Sequence, residues 1–308
     1  MSRPAHAAAW QAADRFFFAP ASTFPFAVLR VAISLFILLQ LGWLLPAWDY
    51  LYGSEGYIEW FISNDLFRVR ALLNIVDLAD ALGPYGISDQ QVLYGFTAGY
   101  ALAALGLLSG WHSRWLAALV CLLHFMLNNT ALIFGYGVES FTHVGLFYLI
   151  FVPSGDYLSV VSRPAPAPSA VANFVLRILQ LHLCLVYFNA GIAKLGGTDW
   201  RQGEAVWYTL ANTNYGTLRM YWLAQVPLLA RLCTWWVLLI ETLYPVFIWW
   251  GRTRPFWLAN IIVLHLSIGL FMGLYMFGLV MLIINVAAFG GLRARQPALA
   301  AAGLAVIK

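Results

Sequence analysis

Eight stretches of this chain are too apolar and too long for a water-soluble fold of its size. They lie at 26–45, 91–108, 115–134, 138–152, 169–193, 229–250, 255–272 and 274–290. A helix needs about 20 residues to cross a hydrocarbon layer about 30 Å thick, and all but the fourth run come within one turn of that length. Inside lipid no water is available to backbone polar groups, so each run must close its hydrogen bonds within itself, as a helix. The expected fold is therefore all-α: a polytopic bundle of about eight transmembrane helices. Six is the lower bound, because the fourth run is short and the last two are closely joined. One transmembrane domain is expected over 12–290, with short cytoplasmic tails at 1–11 and 291–308.

Composition removes the other classes. Hydrophobic residues make up 62% of the chain and charged residues 10%, against about 25% charged in a typical soluble domain. The net charge of +4 does not imply nucleic acid, because the basic residues are scattered over short connections and form no patch. Cys121, Cys184 and Cys233 sit far apart within apolar runs, so neither a disulfide framework nor a cysteine metal site is expected. No histidine pair has metal-ligand spacing, and no metal is expected. The run 26–45 is long enough to span and no small-residue cleavage site follows it, so it reads as a retained helix.

Orientation follows from the basic residues. An inside N-terminus puts Arg3, Arg15, Arg114, Arg163, Arg252, Arg254, Arg293, Arg295 and Lys308 on the inner side, and only Arg68, Arg70, Arg201 and Arg219 outside. Nine against four favours N-in and C-in, in a multi-pass protein of the cell membrane surrounded by lipid. Trp43, Trp48, Tyr50, Tyr52, Trp111, Trp115, Trp249, Trp250 and Trp257 flank the spans, as interfacial aromatics do. Two outer connections are long. Leu66–Leu82 carries polar Arg70, Asn74 and Asp77 beside Val69, Leu73 and Val76, which predicts an interfacial amphipathic helix. Leu195–Val226 holds Asp199, Trp200, Glu204, Tyr208, Asn212 and Asn214 and is expected to cap the outer end of the bundle.

Ionisable residues within spans are costly, so each is a candidate functional group. Arg30 and Arg231 lie near span ends, where an arginine can snorkel to the interface. His124, His182 and His265 read as neutral rings bonded to a neighbouring helix. The fifth span differs. Arg177, Gln180, Cys184, Tyr187, Gly191 and Lys194 recur at steps of three and four, which places them on one stripe. Such a stripe belongs against the bundle interior or a water-filled cavity, with Lys194 at its outer end. His182 and Asn189 fall on the other face, towards another helix. Lys194 is the strongest candidate. Desolvation penalises an ammonium, and a lysine so tuned serves as a general base. The plainer alternative is an anchor in the headgroup layer, and Glu241 would hold the lysine charged if the two met. Asn128, Asn129, Glu139 and His143 fall towards the same outer half and are expected to join the cavity.

At these residues the chain resembles a known family. Tyr187-Phe188-Asn189-Ala190-Gly191-Ile192-Ala193-Lys194-Leu195, followed by Asp199-Trp200-Arg201-Gln202-Gly203-Glu204-Ala205, is similar to the central signature of the vitamin K-dependent γ-carboxylase-like transmembrane proteins, the horizontally transferred transmembrane domain family. Arg15–Arg30, Tyr52–Gly56, Glu241–Pro245 and His265–Leu270 resemble other parts of it. The resemblance implies a quinol-dependent modification of a small or secreted peptide substrate, with vitamin K hydroquinone as the reductant and Lys194 as the base. Arg177, Gln180, Tyr187, Asn128, Asn129, Glu139, His143 and Glu241 would line or support the pocket, and Asp199, Trp200 and Glu204 its outer rim. Two departures stand out. The carboxylase's large lumenal domain is not expected after these runs, and the fourth-span region, where the family has an Asn-His pair, has Glu139 and His143 instead. The rival readings are a non-catalytic membrane partner in the maturation or export of a secreted peptide, and a transporter. The transporter ranks last for want of an inverted repeat.

Overall fold

A computed structural model describes residues 3–66, 72–131, 134–161, 166–212, 217–218 and 220–292. Among them helix dominates and no strand occurs. In chain order the helices are α1 (Arg3–Phe18), α2 (Phe24–Leu44), α3 (Trp48–Tyr52), α4 (Trp60–Leu66), α5 (Ile75–Leu82), α6 (Asp89–Ser109) and α7 (Ser113–Thr130). They continue as α8 (Gly137–Phe151), α9 (Ala170–Gly196), α10 (Thr198–Gln202), α11 (Ala205–Ala211), α12 (Pro227–Phe247), α13 (Arg254–Met272) and α14 (Tyr275–Phe289). Each of the eight expected runs is one helix: α2, α6, α7, α8, α9, α12, α13 and α14. The chain is an all-α helical membrane bundle.

Five of these helices, α2, α6, α9, α12 and α13, are long and apolar enough to cross a bilayer. Helices α8 and α14 have 15 residues each, a rise of about 22 Å. They pack against each other inside the bundle, with Phe141 and Phe277 in ring contact at 6.0 Å. Helix α7 buries His124 and Asn129 on one face, exposes Leu119, Leu122 and Phe125 on another, and keeps Arg114 exposed in its first turn. Helix α2 runs through the middle, against α6, α8 and α14. Its buried residues Phe26, Leu29, Ile33, Phe36 and Ile37 recur at helical spacing, so a single face carries the contact.

Several expectations shift. Residues 3–11, within the expected N-terminal tail, are the first part of α1, which packs against α9. The outer-loop helix starts at Ile75 rather than Leu66. Asn74 is its cap, accepting from the Asp77 N–H while the Asp77 carboxylate accepts from the Asn74 N–H, each at 3.0 Å, the arrangement of a capping box. Arg68 and Arg70 lie outside the described residues, as do Arg163, Asn214, Arg219, Arg293, Arg295 and Lys308. Trp48, Tyr52 and Trp257 turn inwards and are buried, whereas Trp43, Trp111, Trp115 and Trp250 stay exposed at the periphery.

Arg30 does not snorkel. It is fully buried and all three guanidinium nitrogens donate to main-chain carbonyls. Nη1 reaches Leu107 at 2.7 Å and Leu108, Nε reaches Ser154 at 3.2 Å, and Nη2 reaches Tyr157 at 3.2 Å and Leu158 at 2.5 Å. The first two carbonyls belong to the last turn of α6, where the Leu107 carbonyl also accepts from the Gly110 N–H at 3.1 Å. A cation there also meets the negative end of the helix dipole. The guanidinium thus ties α2, α6 and the turn after α8 together.

Replacing Arg30 with Met should cost about 3 kcal/mol or more, since several buried carbonyls lose a charged donor at once. Arg30→Lys should recover only part of this, because an ammonium offers three donors without the planar fork. Thermal melting in detergent, followed by near-ultraviolet circular dichroism, reads the order wild type, Lys, Met.

Candidate functional site

The seam between α9 and α12 sets the site. On α9 the expected stripe is buried at Gln180, Cys184, Tyr187 and Gly191. A Cβ on Gly191 would lie 2.5 Å from Thr242 Oγ1 and 2.8 Å from the Thr242 Cα and N. Only a hydrogen fits, and the two helices close on each other there, as small residues permit in membrane bundles. One turn further along α9, Lys194 meets Glu241 of α12: Nζ to Oε2 is 2.5 Å. Lys194 is the last basic residue of its helix, and Gly196 and Gly197 end it as expected. The lone amine expected from sequence is therefore not what the fold builds. The two side chains form a hydrogen-bonded pair, and any proton gained here is gained by the pair.

The pair closes one end of a cavity of about 460 Å³. Trp200 of α10, Val206 and Leu210 of α11, Trp236 and Val237 of α12, and Leu264 and Phe271 of α13 line the rest, with Leu223 from the connection before α12. The Lys194 ammonium stands 5.3 Å from the Trp200 ring centroid, within cation–π range. Helices α10 and α11 belong to the second outer connection, so this loop caps the bundle as expected. The chamber combines apolar aromatic walls with one charged pair, the usual make-up of a small-molecule pocket.

The structure separates residues that the sequence grouped. Lys194, Glu241 and Trp200 share the chamber. Arg177 and Gln180 lie about 25 and about 21 Å down the helix axis from Lys194 and serve packing. Arg177 Nε donates to the Phe16 carbonyl at 3.1 Å, its guanidinium covers the Phe16 ring at 4.5 Å, and Nη1 donates to Gln180 Oε1 at 3.0 Å. Gln180 Nε2 in turn donates to the Ala288 carbonyl at 2.6 Å. Tyr187 sits behind the chamber in a buried polar chain. Tyr244 donates to Asn285 Oδ1 at 2.9 Å, Asn285 Nδ2 donates to the Tyr187 hydroxyl at 2.8 Å, and that hydroxyl meets His265 Nε2 at 2.8 Å. Asn128, Asn129, Glu139 and His143 form a separate cleft between α7 and α8. Glu204 lines a third cleft with Tyr208 and Arg231; its carboxylate accepts from the Tyr208 hydroxyl at 2.8 Å and raises that hydroxyl above its ordinary range. Asp199 is exposed and lines none of these.

The three histidines read as helix-to-helix links are such links. His124 bonds Tyr100, His182 bonds Tyr148 and His265 bonds Tyr187. Asn189, expected against another helix, is exposed instead. The aromatic walls Trp222, Trp236 and Phe271 escaped the sequence reading. In a chain this apolar a cavity-lining aromatic carries no mark that separates it from a lipid-facing one.

A comparison with known families matches residues 84–289 to the HTTM domain, more than half of the chain. No curated protein and no solved structure matches it.

Gly191→Ala should force α9 and α12 apart and lower stability by about 1–3 kcal/mol, the usual cost of overpacking a fitted contact. An Ala at the exposed Gly196, where a Cβ meets nothing within 4 Å, should leave the melting temperature unchanged. Paired thermal melts of the two variants check this.

Proposed function

The chain belongs to the HTTM family of vitamin K-dependent carboxylase-related membrane domains, and from that premise we propose that it is a cell-membrane enzyme using a lipid-soluble quinol to modify a small or peptide substrate at its outer face. The observation that carries the reading is the Lys194–Glu241 pair closing an apolar, tryptophan-lined chamber of about 460 Å³. Such a space suits a ligand with an aromatic ring, an apolar tail and a hydroxyl at one end. A reduced quinone, when bound, supplies the electrons and a hydroxyl proton.

The residues act on that proton as a unit. Glu241 takes the ammonium proton of Lys194, which frees the amine lone pair. The amine then accepts a proton from the ligand-facing side, so the pair ends with one proton more than it began with. The shift within the pair is helped by low polarity around it, since desolvation of two full charges offsets much of their attraction. Trp200 beside Nζ stabilises the ammonium that forms. The aromatic walls exclude water, which protects any strongly basic species formed in the chamber.

Lys194→Arg and Lys194→Ala test the reading. With protein in lipid nanodiscs, a reduced naphthoquinone and dioxygen, quinol consumption is followed by absorbance. Both variants should lose about 100-fold or more in rate, the usual share of a general base, because arginine keeps its proton. Full activity in the Arg variant removes Lys194 as the base. Maturation of a secreted peptide that tolerates the Arg variant would instead favour a non-catalytic partner.

A further inference from the structure

The cleft between α7 and α8 has no part in the Lys194 chamber, and its chemistry differs. It has two adjoining parts that share Asn128 and Glu139 in their linings. An outer cleft of about 290 Å³ is lined by Phe125, Asn128, Tyr136, Glu139, Ser140 and His143, among others. Asn128 and Glu139 also line an inner chamber of about 10 Å³, the room of a single water molecule. Three aromatic residues, Trp48, Tyr52 and Tyr100, surround the inner chamber together with His124. All four are buried.

Polar atoms around the throat stand unused. His124 Nε2, Asn128 Nδ2 and His143 Nε2 are buried and have no hydrogen-bond partner among the described residues. Buried polar atoms without partners are rare, and each one asks for a bound group; Asn128 Nδ2 is a donor and asks for an acceptor such as water, so the two imidazole nitrogens are the ones that bear on a cation. The two imidazoles lie 4.5 Å apart, centroid to centroid. His143 Nδ1 meets the Glu139 carbonyl at 3.0 Å, and a carbonyl only accepts. The proton is therefore on Nδ1, and His143 Nε2 presents a lone pair. His124 Nδ1 meets the Tyr100 hydroxyl at 2.8 Å, and since a hydroxyl donates or accepts, this contact does not assign the proton on His124. The Glu139 carboxylate accepts from the Tyr136 N–H at 2.8 Å and from Gln40 at 3.4 Å, which leaves lone-pair sites free.

A carboxylate, the His143 lone pair and three aromatic residues among aliphatic Ile37, Leu41, Leu44 and Leu127 describe one ligand class. Aromatic faces attract cations, and a primary ammonium is a water-sized head with three donors. The Glu139 carboxylate, which lines both parts, disfavours an anion. We propose that this two-part cavity recognises a primary ammonium borne by a peptide, either a lysine side chain or a free N-terminus. The inner chamber takes the ammonium head, and the outer cleft takes its carbon chain between Phe125 and Tyr136. A phosphatidylethanolamine headgroup has the same amine, but its phosphate would find no cation in the described lining. The site stands apart from the quinol reading and is tested without it.

The experiment is isothermal titration calorimetry on the full chain in phosphatidylcholine nanodiscs, with Nα-acetyl-lysine methylamide as the probe. Saturable binding is expected, and the Nε-acetylated probe should not bind. Glu139→Gln keeps a cap for α8, since glutamine also accepts from the Tyr136 N–H. It should weaken binding about tenfold or more, the equivalent of 1.4 kcal/mol from a lost charged contact. Ser140→Trp, which fills the cleft from an exposed position, should abolish binding. Lys194→Ala should leave it unchanged, so failure here is distinct from failure of the chamber chemistry. The proposal is overturned by any of four results: no saturable heat up to about 10 mM probe, equal binding of the Nε-acetylated probe, undiminished affinity in Glu139→Gln, or tighter binding of short-chain phosphatidylethanolamine than of the lysine probe.

Discussion

Polar groups inside a lipid-immersed bundle must find their partners within the protein, and Arg30 shows the rule at its most demanding. Its three guanidinium nitrogens donate to five carbonyls from two separate parts of the chain. Without it, carbonyls at the end of α6 and in the turn after α8 would lose a charged donor. Leu158, one of the five acceptors, has a φ of 53°, an uncommon conformation for a branched side chain. The same logic gives each interhelical histidine a tyrosine partner and pairs Lys194 with Glu241.

The second constraint is close approach. Gly191 lets α12 come near enough for Glu241 to reach Lys194. The charged pair is thus a product of helix packing as much as of its own attraction. The chamber beside it exists because α10 and α11 fold back over the outer ends of α12 and α13. Chemistry and access therefore come from different elements: the seam sets the pair, and the outer loop roofs the space it faces.

Much of the site was legible because helical spacing is rigid. Residues three and four apart share a face, so Gln180, Cys184, Tyr187 and Gly191 had to point together, and they point inwards. What spacing does not encode is distance along the axis. Arg177 lies on the stripe of Lys194 but near the other end of the helix, where it holds α1 through Phe16. The grouping of Asn128, Glu139 and His143 with Lys194 failed for a related reason. All fall in the outer half of the membrane, yet depth does not say which helices are neighbours, and α7 and α8 enclose their own cleft.

Hydropathy and backbone chemistry alone determined the class, the number of helical runs, their limits to within a few residues and the stripe that ends in Lys194. Each follows from local chain properties, namely run length, helical period and the need to bond the backbone in lipid. Only the tertiary structure decided that Lys194 is paired, that Arg30 is enclosed by carbonyls and that the polar residues divide between separate cavities. Those outcomes depend on which helix faces meet and how closely. The order of apolar residues in a membrane chain leaves that open, because lipid and a neighbouring helix are nearly the same solvent to a leucine.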